Sequence, residues 1–326
     1  MVKRADIRKI LFITLSNLGD IILTTPVLER LVSEYPGARI DVITGAPGID
    51  IFSKHPAVAG VSVHSRKMSL ADRLKQVAGL RKEHYDVVVD LKNSLLPYAV
   101  GAKKRTSLFS GKRSPDVHKR DEHLLKLADL GIKDPLERPR FFLPVSPEDG
   151  SYVEDLLGRE WTRIVIVNAG AKSHLKRWDP GKFAALSDLL VSELKCRIVL
   201  TGADEDAEVT GKVASSVTTP IKDLCSKTTL GGLAALMARA DLVITNDSAP
   251  LHVASAMNTP TLAIFGPTDE KKYGPLAERH KVVKPATPCR PCEKALCDKG
   301  RDEGCISDIG VDTVYAMAKQ MLAGNV

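Results

Sequence analysis

The chain has 326 residues, enough for two domains of ordinary size. Hydrophobic residues make up 44% and charged residues 27%, the balance of a folded globular protein rather than a disordered one. No apolar run approaches the ~20 residues of a membrane helix, and no apolar stretch with a cleavage site follows Lys3 and Arg4. Integral-membrane, secreted and collagen-like classes are therefore set aside.

The formal net charge is +7. Residues 1–150 hold 25 Lys/Arg and 18 Asp/Glu, whereas residues 151–326 hold 22 of each, so the whole excess lies in the first half. Such a half suits a phosphorylated substrate, a membrane surface or nucleic acid. The alternative is a charge that only keeps the protein soluble.

In chain order, 10–14 is a buried-strand run and 20–34 has helical apolar spacing, with Pro26 expected to kink or restart the helix. Strands follow at 39–43, 61–63 and 85–90, with helices at 70–82 and 118–130. The stretch 138–149 holds Pro139, Pro144 and Pro147 and reads as a linker. The alternation then restarts with strands at 163–168, 197–201, 241–245 and 261–265. Helices are expected at 180–194, 204–215, 228–239 and 250–257. A last helix, 311–322, has no evident strand partner and is placed as packing back on the N-terminal domain. The pattern predicts an α/β protein of two Rossmann-like, doubly wound parallel-sheet domains, 1–150 and 151–326, facing an interdomain cleft. Ligands prefer the carboxyl ends of such strands, so motifs matter most where strands end and helices begin.

Three segments fall at such places. After the first strand comes Ser16-Asn17-Leu18-Gly19-Asp20, where Gly19 permits a sharp turn and Asp20 opens a helix. The plain alternative makes Asp20 an N-cap. After the first strand of the second half come Asn168, Ala169, Gly170, Ala171, Lys172 and Ser173, then Lys176-Arg177-Trp178. Small residues with cations suit phosphate groups; the alternative is a solvated basic loop with Trp178 packed beneath it. The third segment is Asn246-Asp247-Ser248-Ala249-Pro250-Leu251-His252, followed by 259–268 ending in Gly266-Pro267-Thr268. Pro250 suits a first helical turn, and the amides of residues 248–251 are then expected to open as an anion site walled by residues 266–268. The alternative is an N-cap with a core His252. Neither GxGxxG nor a Walker A loop is present, which disfavours a dinucleotide-dependent oxidoreductase.

Cys196 and Cys225 read as isolated, buried small residues. Cys289, Cys292, Cys297 and Cys305 crowd into seventeen positions. Four close thiols suit structural zinc or an iron–sulfur cluster, with reduced thiols or a disulfide pair as alternatives.

Taken together, the motifs resemble glycosyltransferase family 9, the bacterial heptosyltransferases of lipopolysaccharide core assembly. The residues that carry the resemblance are Gly19-Asp20 with Thr24-Thr25-Pro26, Lys176-Arg177-Trp178, Gly202-Ala203-Asp204-Glu205, residues 246–252 with Ala249 where the family has Gly, and residues 259–268. The resemblance implies a GT-B fold and an inverting transfer that needs no metal or other cofactor. It implies Asp20 as general base and Lys176 as holder of the donor. Gly170, Ala171, Asn246, Asp247, Ser248, Ala249, Pro250, Leu251 and His252 would line the donor diphosphate site. It further implies ADP-heptose as donor and a Kdo-bearing inner-core lipopolysaccharide lipid as acceptor. The place of action would be the cytoplasmic face of the inner membrane, with transient contact to its surface. Gly19, Lys103, Lys104, Arg105, Arg113 and Arg120 are assigned to the acceptor or membrane side, with a solvated loop as the alternative. A related transferase using a nucleotide-hexose or N-acetylhexosamine stays open, as does a non-catalytic sugar-nucleotide-binding protein. Nucleic-acid binding is disfavoured, because aromatics are only 5% and are not interleaved with the cations.

Overall fold

The computed structural model describes residues 6–64, 68–108, 116–158, 163–301 and 304–324. The chain divides into two compact units, Met1–Pro144 and Val145–Val326. The first runs β1 (Lys9–Ile13), α1 (Leu18–Glu34), β2 (Arg39–Thr44), α2 (Ile49–Phe52) and β3 (Val58–Val63). It continues with α3 (Leu70–Lys82), β4 (Val87–Asp90), α4 (Leu96–Val100), β5 (Lys104–Arg105) and α5 (Lys119–Leu125). The second opens with α6 (Pro147–Leu157), β6 (Ile164–Asn168), α7 (Pro180–Leu194), β7 (Arg197–Leu200), α8 (Ala207–Ser216) and β8 (Ile221–Asp223). It closes with α9 (Leu230–Ala238), β9 (Leu242–Asn246), α10 (Ala249–Ala256), β10 (Thr261–Ile264), α11 (Glu270–Tyr273), β11 (His280–Val283) and α12 (Val311–Leu322).

Both sheets are parallel throughout. The first has the order β3-β2-β1-β4-β5 and the second β11-β10-β9-β6-β7-β8. Each order reverses direction once, beside β1 in the first sheet and beside β6 in the second. These are the switch points where doubly wound sheets leave room for ligands. The central strands β4, β6, β9 and β10 are buried along their length, as parallel strands covered on both faces require.

Pro26 does not interrupt α1, which runs unbroken over seventeen residues. Proline cannot donate to the Ile22 carbonyl, but the neighbouring Thr25 hydroxyl does so at 2.9 Å. Thr24 likewise donates to the Ile21 carbonyl at 2.6 Å. The stretch read as a linker ends in a helix: α6 starts at Pro147, with Ser146 and Asp149 forming a reciprocal capping box. The last helix α12 packs on α7, β9 and β11 of the second unit, burying Val314, Ala318 and Met321. Cys196 is buried, but Cys225, just past the end of edge strand β8, is half-exposed.

His123 on α5 is buried and its Nδ1 has no hydrogen-bond partner. Burial, with Lys126 close by, pushes its pKa down from 6.5 to about 4. The unfolded chain therefore binds a proton that the folded chain refuses between about pH 6.5 and 4. Stability should fall through that window as pH drops, by on the order of 3 kcal/mol for this group. Urea midpoints at pH 7 and pH 4.5 check it: His123→Leu is expected to flatten the difference relative to the unaltered protein.

Candidate active site

In the first unit the chain leaves β1 and turns into α1. Gly45 braces that turn: its N–H donates to the Leu15 carbonyl at 3.0 Å, and a Cβ there would meet Ser16 Cα and O at 2.6 Å. Only glycine allows the two backbones to lie so close. The Thr14 and Thr24 hydroxyls meet at 2.5 Å and tie the start of the turn to α1. The cap position belongs to Asn17, so Asp20 is not the N-cap but the third helical residue, half-buried beside Gly19. The Asn17 side-chain amide donates to Asp20 Oδ2 at 3.1 Å and sets the direction of the carboxylate.

Lys103 and Lys104 stand at the other edge of the sheet from Asp20. Lys103 Nζ pairs with Asp86 Oδ1 at 2.7 Å, while Asp86 Oδ2 accepts the backbone N–H groups of Arg8 and Lys9. That cluster, with Lys104 in register with Val87, stands at the amino edge of the sheet; Asp20 follows the carboxyl edge. The Arg105 guanidinium lies 4.3 Å from the Tyr98 ring centroid. Arg120 pairs with Asp121 at 2.7 Å and Lys119 with Glu122 at 2.5 Å. Arg113, with Lys112, lies outside the described residues.

In the second unit, the loops after β6 and β9 meet across the switch point. Asn246 is fully buried; its Oδ1 accepts the Trp178 N–H at 3.1 Å and its Nδ2 donates to the Ala169 carbonyl at 2.8 Å. Both ends of this amide are thus used inside the protein, so Asn246 holds the two loops together. Trp178 is wholly buried, its Nε1 donating to the Ile309 carbonyl at 3.0 Å and its ring meeting Phe183 edge-on. With the Trp178 backbone fixed, Lys176 reaches Asp247: Nζ and Oδ2 are 2.7 Å apart, with Asp247 at 5% exposure and Lys176 at 31%.

Gly170 and Ala171 are buried. A Cβ on Gly170 would stand 2.2 Å from the Asp206 carboxyl group, so glycine here lets the β7–α8 loop close over the β6 loop. Burial holds the Asp206 carboxyl above its usual range, offset in part by the Ala203 N–H. A cavity of about 320 Å³ opens beside these loops, lined among others by His174, Arg177, Glu205 and Glu208.

Ser248 caps α10 with extended backbone, and Pro250 follows in the first turn. The expected row of four amides is reduced, because Pro250 has no N–H and Leu251 donates to the Ser248 carbonyl at 3.1 Å. The amides of Ser248 and Ala249 have no backbone partner among the described residues. His252 is buried on α10.

Residues 266–268 are covered by the cysteine-bearing segment. Arg290 donates to the Gly266 and Thr268 carbonyls at 2.9 Å, and the Cys292 and Glu293 N–H groups donate to the Pro267 carbonyl. All six cysteines are free thiols, so no disulfide pair forms. Among the described residues no three His, Cys, Asp or Glu side chains gather as a metal site. The backbone bonds lay this segment along the 266–268 loop.

Two doubly wound parallel sheets in tandem, without a dinucleotide fingerprint, make the GT-B arrangement. The chain matches the description "Glycosyltransferase family 9 (heptosyltransferase)" over residues 73–301 and belongs to that family. It is 30% identical to lipopolysaccharide heptosyltransferase 3 of Escherichia coli (strain K12), over 80% of this chain and 83% of that one. It is 28% identical to lipopolysaccharide heptosyltransferase 2 of the same strain, over 91% and 94%. Its fold matches the crystal structure of the glycosyl transferase family 9 from Veillonella parvula DSM 2008 with a TM-score of 0.83 at 24% identity, covering 99% of each chain.

Proposed function

We propose that this protein is an inverting, metal-independent heptosyltransferase moving heptose from ADP-heptose to an inner-core lipopolysaccharide precursor. The observation that carries the reading is the meeting of Lys176 with Asp247 beside the free amides of Ser248 and Ala249. A diphosphate needs such a cation and such N–H donors. Relatives named lipopolysaccharide heptosyltransferases and a similar solved structure described as E. coli ADP-heptose LPS heptosyltransferase II support the donor and acceptor.

In this reading the Asp20 carboxylate takes the proton of the acceptor hydroxyl. That oxygen attacks the anomeric carbon from the face opposite the leaving group, and the bond from that carbon to the diphosphate oxygen breaks. The electron pair leaves on ADP, where Lys176 and the two amides offset the added charge. Asp247 holds Lys176 in place until the diphosphate arrives. The protein would work at the cytoplasmic face of the inner membrane, where such an acceptor is anchored.

Acceptor-dependent release of ADP from ADP-heptose tests the reading, with a heptose-deficient lipopolysaccharide acceptor and nucleotide-hexose donors as comparison. Release only with a nucleotide-hexose would replace the donor; saturable donor binding without any release would make the protein non-catalytic. Lys176→Met is expected to raise the donor KM by about ten- to a hundred-fold, the ~1.5–3 kcal/mol of a charge-assisted hydrogen bond.

A further inference from the structure

We propose that the outer face of α3, with the adjoining start of α4, docks this protein on an anionic lipid bilayer surface. The helix α3 spans thirteen residues and buries none of them. It is held to its unit by Leu80, which packs on the cluster of Leu11, Ile13 and Val88, and by Gln76. The Gln76 side chain meets His64 Nδ1 at 2.9 Å and donates to the Val63 carbonyl at 3.4 Å.

The outer face of α3 is not an ordinary solvated one. Leu70 is 73% exposed and Leu74 62%, one helical turn apart. Leu95 and Tyr98, at 72% and 44%, are exposed at the start of α4, which packs on α3. Exposed apolar side chains scattered singly need no explanation, but Leu70 and Leu74 share one face of α3, with two more on the adjoining helix. From helix geometry, Leu70, Leu74 and Arg81 project within about 40° of one direction, and Lys75 and Lys82 flank them. Arg105, stacked on Tyr98, adds a cation at the far rim.

The charge balance names the occupant. Among residues 70–82 the cations Arg73, Lys75, Arg81 and Lys82 stand against one acid, Asp72, which accepts the Ser69 hydroxyl at 2.6 Å at the helix start. The patch is on a projecting helix rather than in a groove, so it offers isolated leucines instead of a pocket. A bilayer interface accepts that form: leucines enter the headgroup boundary while long cationic side chains reach anionic headgroups.

The docking rests on the lipid-acceptor reading only for its use, and binding is measured without donor or acceptor. The full chain is floated with vesicles of phosphatidylcholine alone or mixed with phosphatidylglycerol. The protein should float with the mixed vesicles only, and less as salt rises. A Leu70→Ser/Leu74→Ser double variant and a Lys75→Glu/Arg81→Glu/Lys82→Glu triple variant should each lower bound protein by about tenfold or more. All five positions are exposed, so thermal midpoints should stay put. Transfer to a delipidated soluble acceptor should be unchanged in both variants, and transfer to vesicle-embedded acceptor should fall. Absent binding to the mixed vesicles, or variants that bind as the unaltered protein does, would overturn the proposal. So would a dimer in solution that the leucine variant dissolves, which would assign the face to a second copy. Vesicle binding as expected, with no transfer to any acceptor, would sink the heptosyltransferase reading and leave the docking face standing.

Discussion

Replacing Asp20 by alanine is expected to lower acceptor-dependent ADP release by about a hundred- to ten-thousand-fold, the usual contribution of a positioned general base. The donor should still bind with nearly unchanged affinity, because the lysine and amides that would hold it lie in the second unit. Asp20→Asn separates proton transfer from hydrogen bonding: it keeps the size of the side chain and an oxygen that can still accept from Asn17. A similar loss in both variants, measured by single-turnover release, would place the effect on the proton. Full activity in Asp20→Asn would remove Asp20 from the role of base.

Asn246→Ala is expected to destabilise the second unit by about 2–4 kcal/mol. The substitution leaves the Trp178 N–H and the Ala169 carbonyl without partners in a buried place, at about 1–3 kcal/mol each. It also frees the Lys176 loop, so the donor KM should rise even where the protein is still folded. Asn246→Asp is a sharper test. Its one oxygen can still accept from Trp178, but the other faces the Ala169 carbonyl and carries buried negative charge. Chemical denaturation of both variants, with donor binding alongside, measures the two effects. Wild-type stability in Asn246→Ala would show that the clamp contributes nothing.

Much of the architecture was legible because its signals are local. Helices 70–82, 180–194 and 311–322 coincide with α3, α7 and α12, since apolar spacing and end residues lie within each segment. The short elements α2, α4, β5, β8, α11 and β11 escaped, because two to five residues hold too little periodicity to distinguish them from loop. The helix α6 escaped for another reason: three prolines suggested a linker, although Ser146-Pro147-Glu148-Asp149 is a helix-start pattern. At Pro26 the local rule predicts a break, but the hydroxyl of the preceding Thr25 takes the unserved carbonyl.

The candidate site divides in the same way. Asp20, Lys176 and Asp247 were visible as polar residues just past strand ends, where parallel sheets place ligand-binding groups. The division of labour among them was not. That Asn246 is spent on Trp178 and Ala169, that Leu251 turns its amide back on Ser248, and that Lys103 serves the amino edge are all matters of which groups meet.

The sequence by itself determined the two-domain α/β class, the order of the main strands and helices, the uneven charge and the motif positions. Each depends on composition or on spacing within a few residues. Only the tertiary structure decided which polar groups remain available at the second switch point and which cations are already paired. It also decided that α3 turns two leucines to the outside. A hydrogen bond or an ion pair between residues 77 or 71 positions apart, as in Asn246 with Ala169 and Lys176 with Asp247, leaves no periodic trace along the chain. It exists only once the strands carrying both partners have taken their places in one sheet.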